Sequence, residues 1–260
     1  MSLFPIGLLI ALTAFISAII HLNQSVTSYF DLVALFIVFG GTTSVAVVLI
    51  PWDIKKDVVH GLKDLLKGDK SNFKLVLNDC IDVLKRTPVN YEGSVIYLYQ
   101  QILKDGLEMI QLNIEPSKIH LILQERLHHS SKRRKKMANA IRSLAKYPPA
   151  FGLMGTVLGL VNVMKGVSNG IDGKQTAMEM ALALVATMYG LIVSNLVLNP
   201  AGELILKNIS HEEGFGEIAI STIQLLAEKS SLLESVELLN SYVPPDQRVN
   251  LFESSEPGAA

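Results

Sequence analysis

The sequence is short of what a soluble catalyst or a secreted domain uses. Its 260 residues hold one cysteine, Cys80, which excludes an intrachain disulfide. That residue falls in an amphipathic helical pattern and is expected to be a small buried core group. Charged residues make up 18%, hydrophobic residues 49%, and mean hydropathy is +0.36, too apolar for an ordinary soluble domain of this length. No alternating strand pattern, internal repeat or low-complexity segment occurs, and no catalytic motif survives inspection. Gly173-Lys174-Gln175-Thr176 resembles the end of a phosphate loop, but no Ser or Thr follows the lysine directly and the first glycine is misplaced. His128 and His129 project about 100° apart on a helix, with no further ligand at a metal-binding spacing. The pattern therefore implies no enzyme, no metal site and no cofactor.

What is present is four long apolar stretches, each near the ~20 residues that cross a hydrocarbon core. They run Leu3–Leu22, Leu32–Ile50, Tyr147–Met164 and Ala177–Leu198, and Glu179, close to one end, is the sole Asp, Glu, Lys or Arg in them. The first carries no basic N-terminal region and no small-residue cleavage site, so a retained span is expected rather than a cleaved signal. The fold class implied is all-α: a polytopic membrane protein with four transmembrane helices and a helical cytoplasmic domain.

Charge distribution orients it. Residues 1–50 contain no Lys or Arg, whereas residues 51–147 contain 18 basic and 11 acidic residues, a net of +7. The segment from 200 onward contains 3 basic and 10 acidic, a net of −7, so the two parts are expected to attract one another. The positive-inside rule places the middle block in the cytoplasm, and with an even number of spans both termini lie there too. The run Lys132-Arg133-Arg134-Lys135-Lys136 is what topology requires beside a span, not a nucleic-acid patch. The organisation expected is transmembrane helices one and two in 1–52, a cytoplasmic helical loop in 53–146, helices three and four in 147–200, one cytoplasmic helix in 201–243 and a flexible tail in 244–260.

Within that frame, the apolar positions Phe73, Val76, Leu77, Cys80, Ile81 and Leu84 give a helix with one buried face. Ser117, after Pro116, is expected to cap another, and Pro200 to close the fourth span. Gly40 and Gly41 suit close approach by a neighbouring helix. Asp31, before the second span, fits a helix N-terminal carboxylate favoured by the macrodipole. The third span presents Gly152, Thr156 and Gly159 on one face, and the fourth aligns Ala183, Thr187, Gly190 and Ser194. No ionisable group stands near the centre of any span. Gly155 and Gly159 then either glue this chain together, or the hydroxyl faces receive a titrating carboxylate from another chain.

These residues carry a resemblance. Phe30-Asp31, Gly40-Gly41, Leu103-Lys104-Asp105-Gly106-Leu107-Glu108, Pro149-Ala150-Phe151-Gly152 through Gly155-Thr156-Val157-Leu158-Gly159-Leu160-Val161, and Ala183 through Gly190 followed by Asn199-Pro200 resemble the flagellar motor stator A subunits, the MotA/PomA family, related to TolQ and ExbB. The resemblance implies a pentameric ring of A subunits around a MotB/PomB-type B subunit dimer in the bacterial inner membrane, acting on a rotor switch protein. The B subunit's membrane aspartate binds and releases H⁺ or Na⁺. On that model Thr156 and Thr187 face the partner carboxylate, Pro149 and Pro200 are the two coupling prolines, Asp31 is the outer-mouth acid, and Gly152, Gly155, Gly159 and Gly190 pack helices. Sodium-driven relatives tend to carry a hydroxyl before the fourth-span threonine; Ala186 here favours H⁺ over Na⁺. Arg86 and Glu92 are the nearest candidates for rotor contact, although Thr87-Pro88-Val89-Asn90 disturbs that alignment. The other readings are a TolQ/ExbB-like energiser of envelope processes, which would have three spans, and a structural membrane scaffold without ion flow.

Overall fold

The computed structural model describes residues 3–21, 29–67, 72–85, 97–170 and 172–249. In chain order the helices are α1 (Leu3–His21), α2 (Leu32–Leu35), α3 (Gly41–Leu49), α4 (Lys55–Lys67), α5 (Phe73–Leu84), α6 (Leu98–Gln111), α7 (Pro116–Leu144), α8 (Tyr147–Ser168), α9 (Gly173–Ile192), α10 (Asn199–Ala227) and α11 (Leu232–Asn240). Wide π turns join α2 to α3 over Phe36–Gly40 and α9 to α10 over Val193–Leu198. No strand occurs among the described residues. Four helical stretches are long and apolar enough to cross a membrane, at mean hydropathies of 2.1, 2.4, 1.5 and 2.0. The protein is thus an all-α, multi-pass membrane protein.

The chain divides into two compact units, residues 1–69 with 134–206 and residues 70–133 with 207–260. The first is built on the α8–α9 hairpin. Successive close approaches pair Pro148 with Gly190, Gly155 with Ala186 and Gly159 with Ala183, so the two helices run antiparallel. The second span packs on them, Ile37 beside Gly155 and Gly41 against the Phe151 ring, whereas Gly40 has open space around its α-carbon. Leucine and isoleucine side chains on α1 and leucine side chains on α2 and α8 point outward, as expected of helices whose surroundings are apolar on every side. At the foot of the second span Trp52 is 84% exposed, with the Lys55 ammonium 3.4 Å over its ring, an arrangement suited to an interface.

The second unit has a conventional core. Val76, Leu77, Cys80 and Ile81 from α5, Tyr99, Ile102 and Leu103 from α6, Leu123 of α7, Phe215, Ile218 and Ile223 of α10, and Leu239 of α11 form one cluster. Gly106 admits Ile223 and Gly216 admits Leu127, each where a β-carbon would lie 2.6 Å from the neighbour. Burial pushes the Cys80 thiol up to about 12. Burial also raises the Tyr99 phenol, and the nearby Asp79 carboxylate, which accepts its proton at 2.8 Å, adds to this. Of the ion pairs described, Arg142 to Glu203 at 2.9 Å joins the basic middle block to the acidic segment.

Three local expectations are corrected. Pro200 does not end the fourth span: the chain runs on helically through it into α10. Nor is 201–243 one helix. Lys229 takes a positive φ of 57°, and Ser231 restarts the chain by accepting the Glu234 N–H at 3.3 Å. Helix α7 starts at Pro116, not behind a Ser117 cap. Proline sits well at a first helical position because it has no N–H to leave unpaired, and Ser117 hydrogen-bonds Glu115 at 2.8 Å instead. Helix α8 continues to Ser168, and Gly173-Lys174-Gln175-Thr176 is the first turn of α9. The tail from 250 lies outside the described residues.

Candidate functional site

The site grows from the α8–α9 seam. Small residues recur every three or four positions, so the two backbones approach to a distance no ordinary side chain tolerates. A β-carbon at Gly152 would lie 2.7 Å from the Ala186 carbonyl oxygen, and one at Gly190 2.4 Å from that of Pro148. At Gly155 and Gly159 it would meet the methyls of Ala186 and Ala183 at 2.7 and 2.4 Å. All four expected packing glycines therefore sit in one intrachain seam, where the α8 glycines pack the fourth span.

That closeness brings the two threonines together. Thr156 Oγ1 and Thr187 Oγ1 are 2.5 Å apart, and the Thr156 hydroxyl also has the Ala183 and Gly152 carbonyl oxygens at 3.0 and 3.2 Å. Both residues are half-buried. Counting protons shows what the pair can do. If Thr156 donates to Ala183, Thr187 donates to Thr156 and keeps its lone pairs for a neighbour. If Thr156 donates to Thr187, the Thr187 proton is offered outward. Rotating two O–H bonds converts an acceptor into a donor, and the serial hydrogen bonds polarise one another.

Ala186 is 2% exposed and fills the seam against Gly155, so the position before Thr187 adds no side-chain oxygen. Asp31 caps α2, its Oδ1 accepting the Val33 N–H at 2.9 Å. A tether absent from the sequence reading lies beside it: the Tyr189 hydroxyl donates to the Tyr29 carbonyl at 2.5 Å and accepts the Asp31 N–H at 3.2 Å. No spacing rule announces such a contact.

Pro149 lies in the first turn of α8 and, with Asn139, Arg142, Lys146, Ser194 and Asn199, lines a polar recess of about 500 Å³. Pro200 stands in the first turn of α10, directly after the π turn. The buried Ser194 hydroxyl donates to the Ala145 carbonyl at 2.6 Å, tying that π turn to the α7–α8 joint. Arg86 and Glu92 lie outside the described residues.

Comparison with known proteins gives the lineage. Residues 97–215 match the model of the MotA/TolQ/ExbB proton channel family. Motility protein A of Borreliella burgdorferi is 33% identical over 42% of this chain and 41% of its own length. Over these residues the chain is similar to that family, and the motility relatives that it matches are of the MotA/PomA kind. YtxD of Bacillus subtilis, described as uncharacterized, is 25% identical over 66% of this chain and 64% of its own length, so these two matches span less than two thirds of either relative. The fold is that of the Campylobacter jejuni MotAB structure, with a TM-score of 0.85 at 19% identity, covering 97% of this chain and 100% of that one. The family is one of ion channels rather than enzymes. Its proton-channel description directs attention to the hydroxyl pair and to polar groups within reach of it.

Proposed function

We propose that this chain is the A-type subunit of a flagellar stator, conducting H⁺ past Thr156 and Thr187 and converting that flow into torque on a rotor. The observation that carries the reading is the hydroxyl pair itself. It is held by a glycine seam, can donate or accept toward a neighbour, and stands at a level of α8 and α9 that carries no charged side chain. A titrating carboxylate must come from outside the chain at that level, as from a B subunit dimer encircled by a pentameric ring of A subunits. A carboxylate beside hydroxyls and an apolar wall has its ion affinity set by those neighbours. H⁺ is favoured over Na⁺ because Ala186 contributes no side-chain oxygen, whereas a hard cation seeks several oxygen ligands. The block from 53 to 146 and both termini would face the cytoplasm, with the protein in the inner membrane.

Thr187→Val tests this, since valine keeps the volume and removes the hydroxyl. With insertion and B-subunit copurification intact, ion uptake and motility should fall to background. Wild-type swimming by the assembled variant would overturn the role of the pair. Motility that requires external sodium would overturn the choice of proton.

A further inference from the structure

Glu179 lies near one end of the fourth span, in the second turn of α9, and lines a cavity of about 290 Å³ with Asp31, Asn162, Gly155, Ala183 and Ala186. Glu179 Oε2 is withdrawn from the surface and has no hydrogen-bond partner among the described residues. Among the described residues no Lys, Arg or His lines this cavity. A carboxylate oxygen covered by protein and lacking a hydrogen-bond partner offers an open acceptor site to a proton or another cation.

The cavity also leads somewhere. Glu179, Ala183 and Ala186 follow i, i+4 and i+7, one stripe of α9. Ala183 borders the cavity and offers its carbonyl to the Thr156 hydroxyl at 3.0 Å, and Ala186 precedes Thr187. The rise from Glu179 to Thr187 is about 12 Å, a distance that waters in a cavity of this size span. Asn162, facing from α8, can orient such waters from either end of its amide.

We infer that Glu179 is a second, in-chain carboxylate of the cation path, which takes up the translocated ion and passes it toward Thr156 and Thr187. This rests on the reading of the chain as an ion-conducting subunit. The step for H⁺ is simple: an external proton adds to the Glu179 carboxylate and leaves it for water on the Thr187 side, with no other bond made or broken. The competing role is structural, because an acid near a helix N-terminus is favoured by the macrodipole. The two differ in what they move, since only an uptake group controls the concentration of ion needed to half-saturate flux.

The test uses the full chain with its copurifying B subunit in vesicles, with proton entry followed in sodium-free medium over a range of external proton concentration. Glu179→Gln is expected to raise the half-saturating concentration by about tenfold or more while leaving the flux at saturation within about twofold. Glu179→Asp should restore most of the shift. A Glu179→Gln protein whose half-saturation matches wild type overturns the inference, as does one whose flux falls at every concentration with Glu179→Asp failing to rescue it. Repeating the series with sodium as the varied ion decides which cation is taken up, and a shift in neither series overturns the uptake role. Thr187→Val separates the two readings: lost flux there with an unchanged Glu179→Gln protein defeats only this inference. A wild-type complex that passes no ion defeats both.

Discussion

The glycine seam makes a numerical commitment. Alanine at Gly152 would place its methyl 2.7 Å from the Ala186 carbonyl oxygen and 2.9 Å from the Thr187 α-carbon, both backbone atoms that no rotamer change can move. Ordinary contact begins near 3.4 Å, so the two helices must part by about 0.7 Å. Overpacking of this kind costs about 1–3 kcal/mol. Against it stands the helix-propensity gain of Gly to Ala, about 1 kcal/mol. Gly7→Ala isolates that gain, because nothing lies within 4 Å of a β-carbon there. The same separation stretches the Thr156–Thr187 contact from 2.5 Å to about 3.2 Å, beyond the usual O–H···O range. Thermal unfolding of the detergent-solubilised protein, alongside ion uptake by the assembled complex, should show Gly152→Ala melting several degrees below Gly7→Ala and conducting poorly. A Gly152→Ala protein as stable as Gly7→Ala with wild-type conduction refutes the account of the seam.

Three further outcomes are expected. Ser194→Ala removes the donor to the Ala145 carbonyl and leaves a buried acceptor unpaired, a loss of about 1–2 kcal/mol that a thermal melt would register. Cys80, whose thiol is held near 12 against its ordinary 9.0, should resist alkylation at pH 8 in the native protein and react once it unfolds, as read by mass spectrometry. Because its folded value is raised, its contribution to stability is complete below pH 9 and is lost as pH climbs from there toward 12. Pro200→Ala restores an N–H, which lets the π turn relax toward α-helix. The variant should fold at least as stably while ion-driven motility falls, and unimpaired motility in a protein whose π turn has demonstrably relaxed would count against any coupling role for that turn.

The large features were legible because the bilayer leaves little choice. Backbone groups in hydrocarbon must pair internally, so four long apolar runs become helices whatever else the chain does. Glycines at i, i+3 and i+7 in a span admit a close neighbour, and Gly152, Gly155 and Gly159 meet α9 as that spacing implies. The pattern could not choose between an intrachain seam and one shared with another copy, since both satisfy the same spacing. It also could not find the Tyr189 tether, which joins residues 160 positions apart through one hydroxyl. Position along a span also does not tell what a side chain meets: Glu179, near one end of α9, lines a cavity with Asp31 and Asn162, residues of two other helices' neighbourhoods.

Pro200 shows a different limit. Proline ends a helix because its ring strikes the carbonyl four residues back, here Leu196, and because it offers no N–H to that carbonyl; the interior cost is about 3 kcal/mol. The rule assumes that the preceding turn stays α-helical. Here the Asn199 N–H reaches the Ser194 carbonyl five residues back, so the turn before the proline is widened and the backbone continues. Such a turn leaves carbonyls short of partners, and in an apolar setting it persists only where surrounding groups hold it. The Ser194 hydroxyl on Ala145 is one such hold, the Gly190 approach to the Pro148 carbonyl another, and both lie on the joint between α7 and α8. The irregular turn of one rod is thus seated against the irregular joint of the other. A residue-by-residue propensity cannot see this arrangement, because the condition that lets Pro200 remain helical is supplied from about fifty residues earlier in the chain.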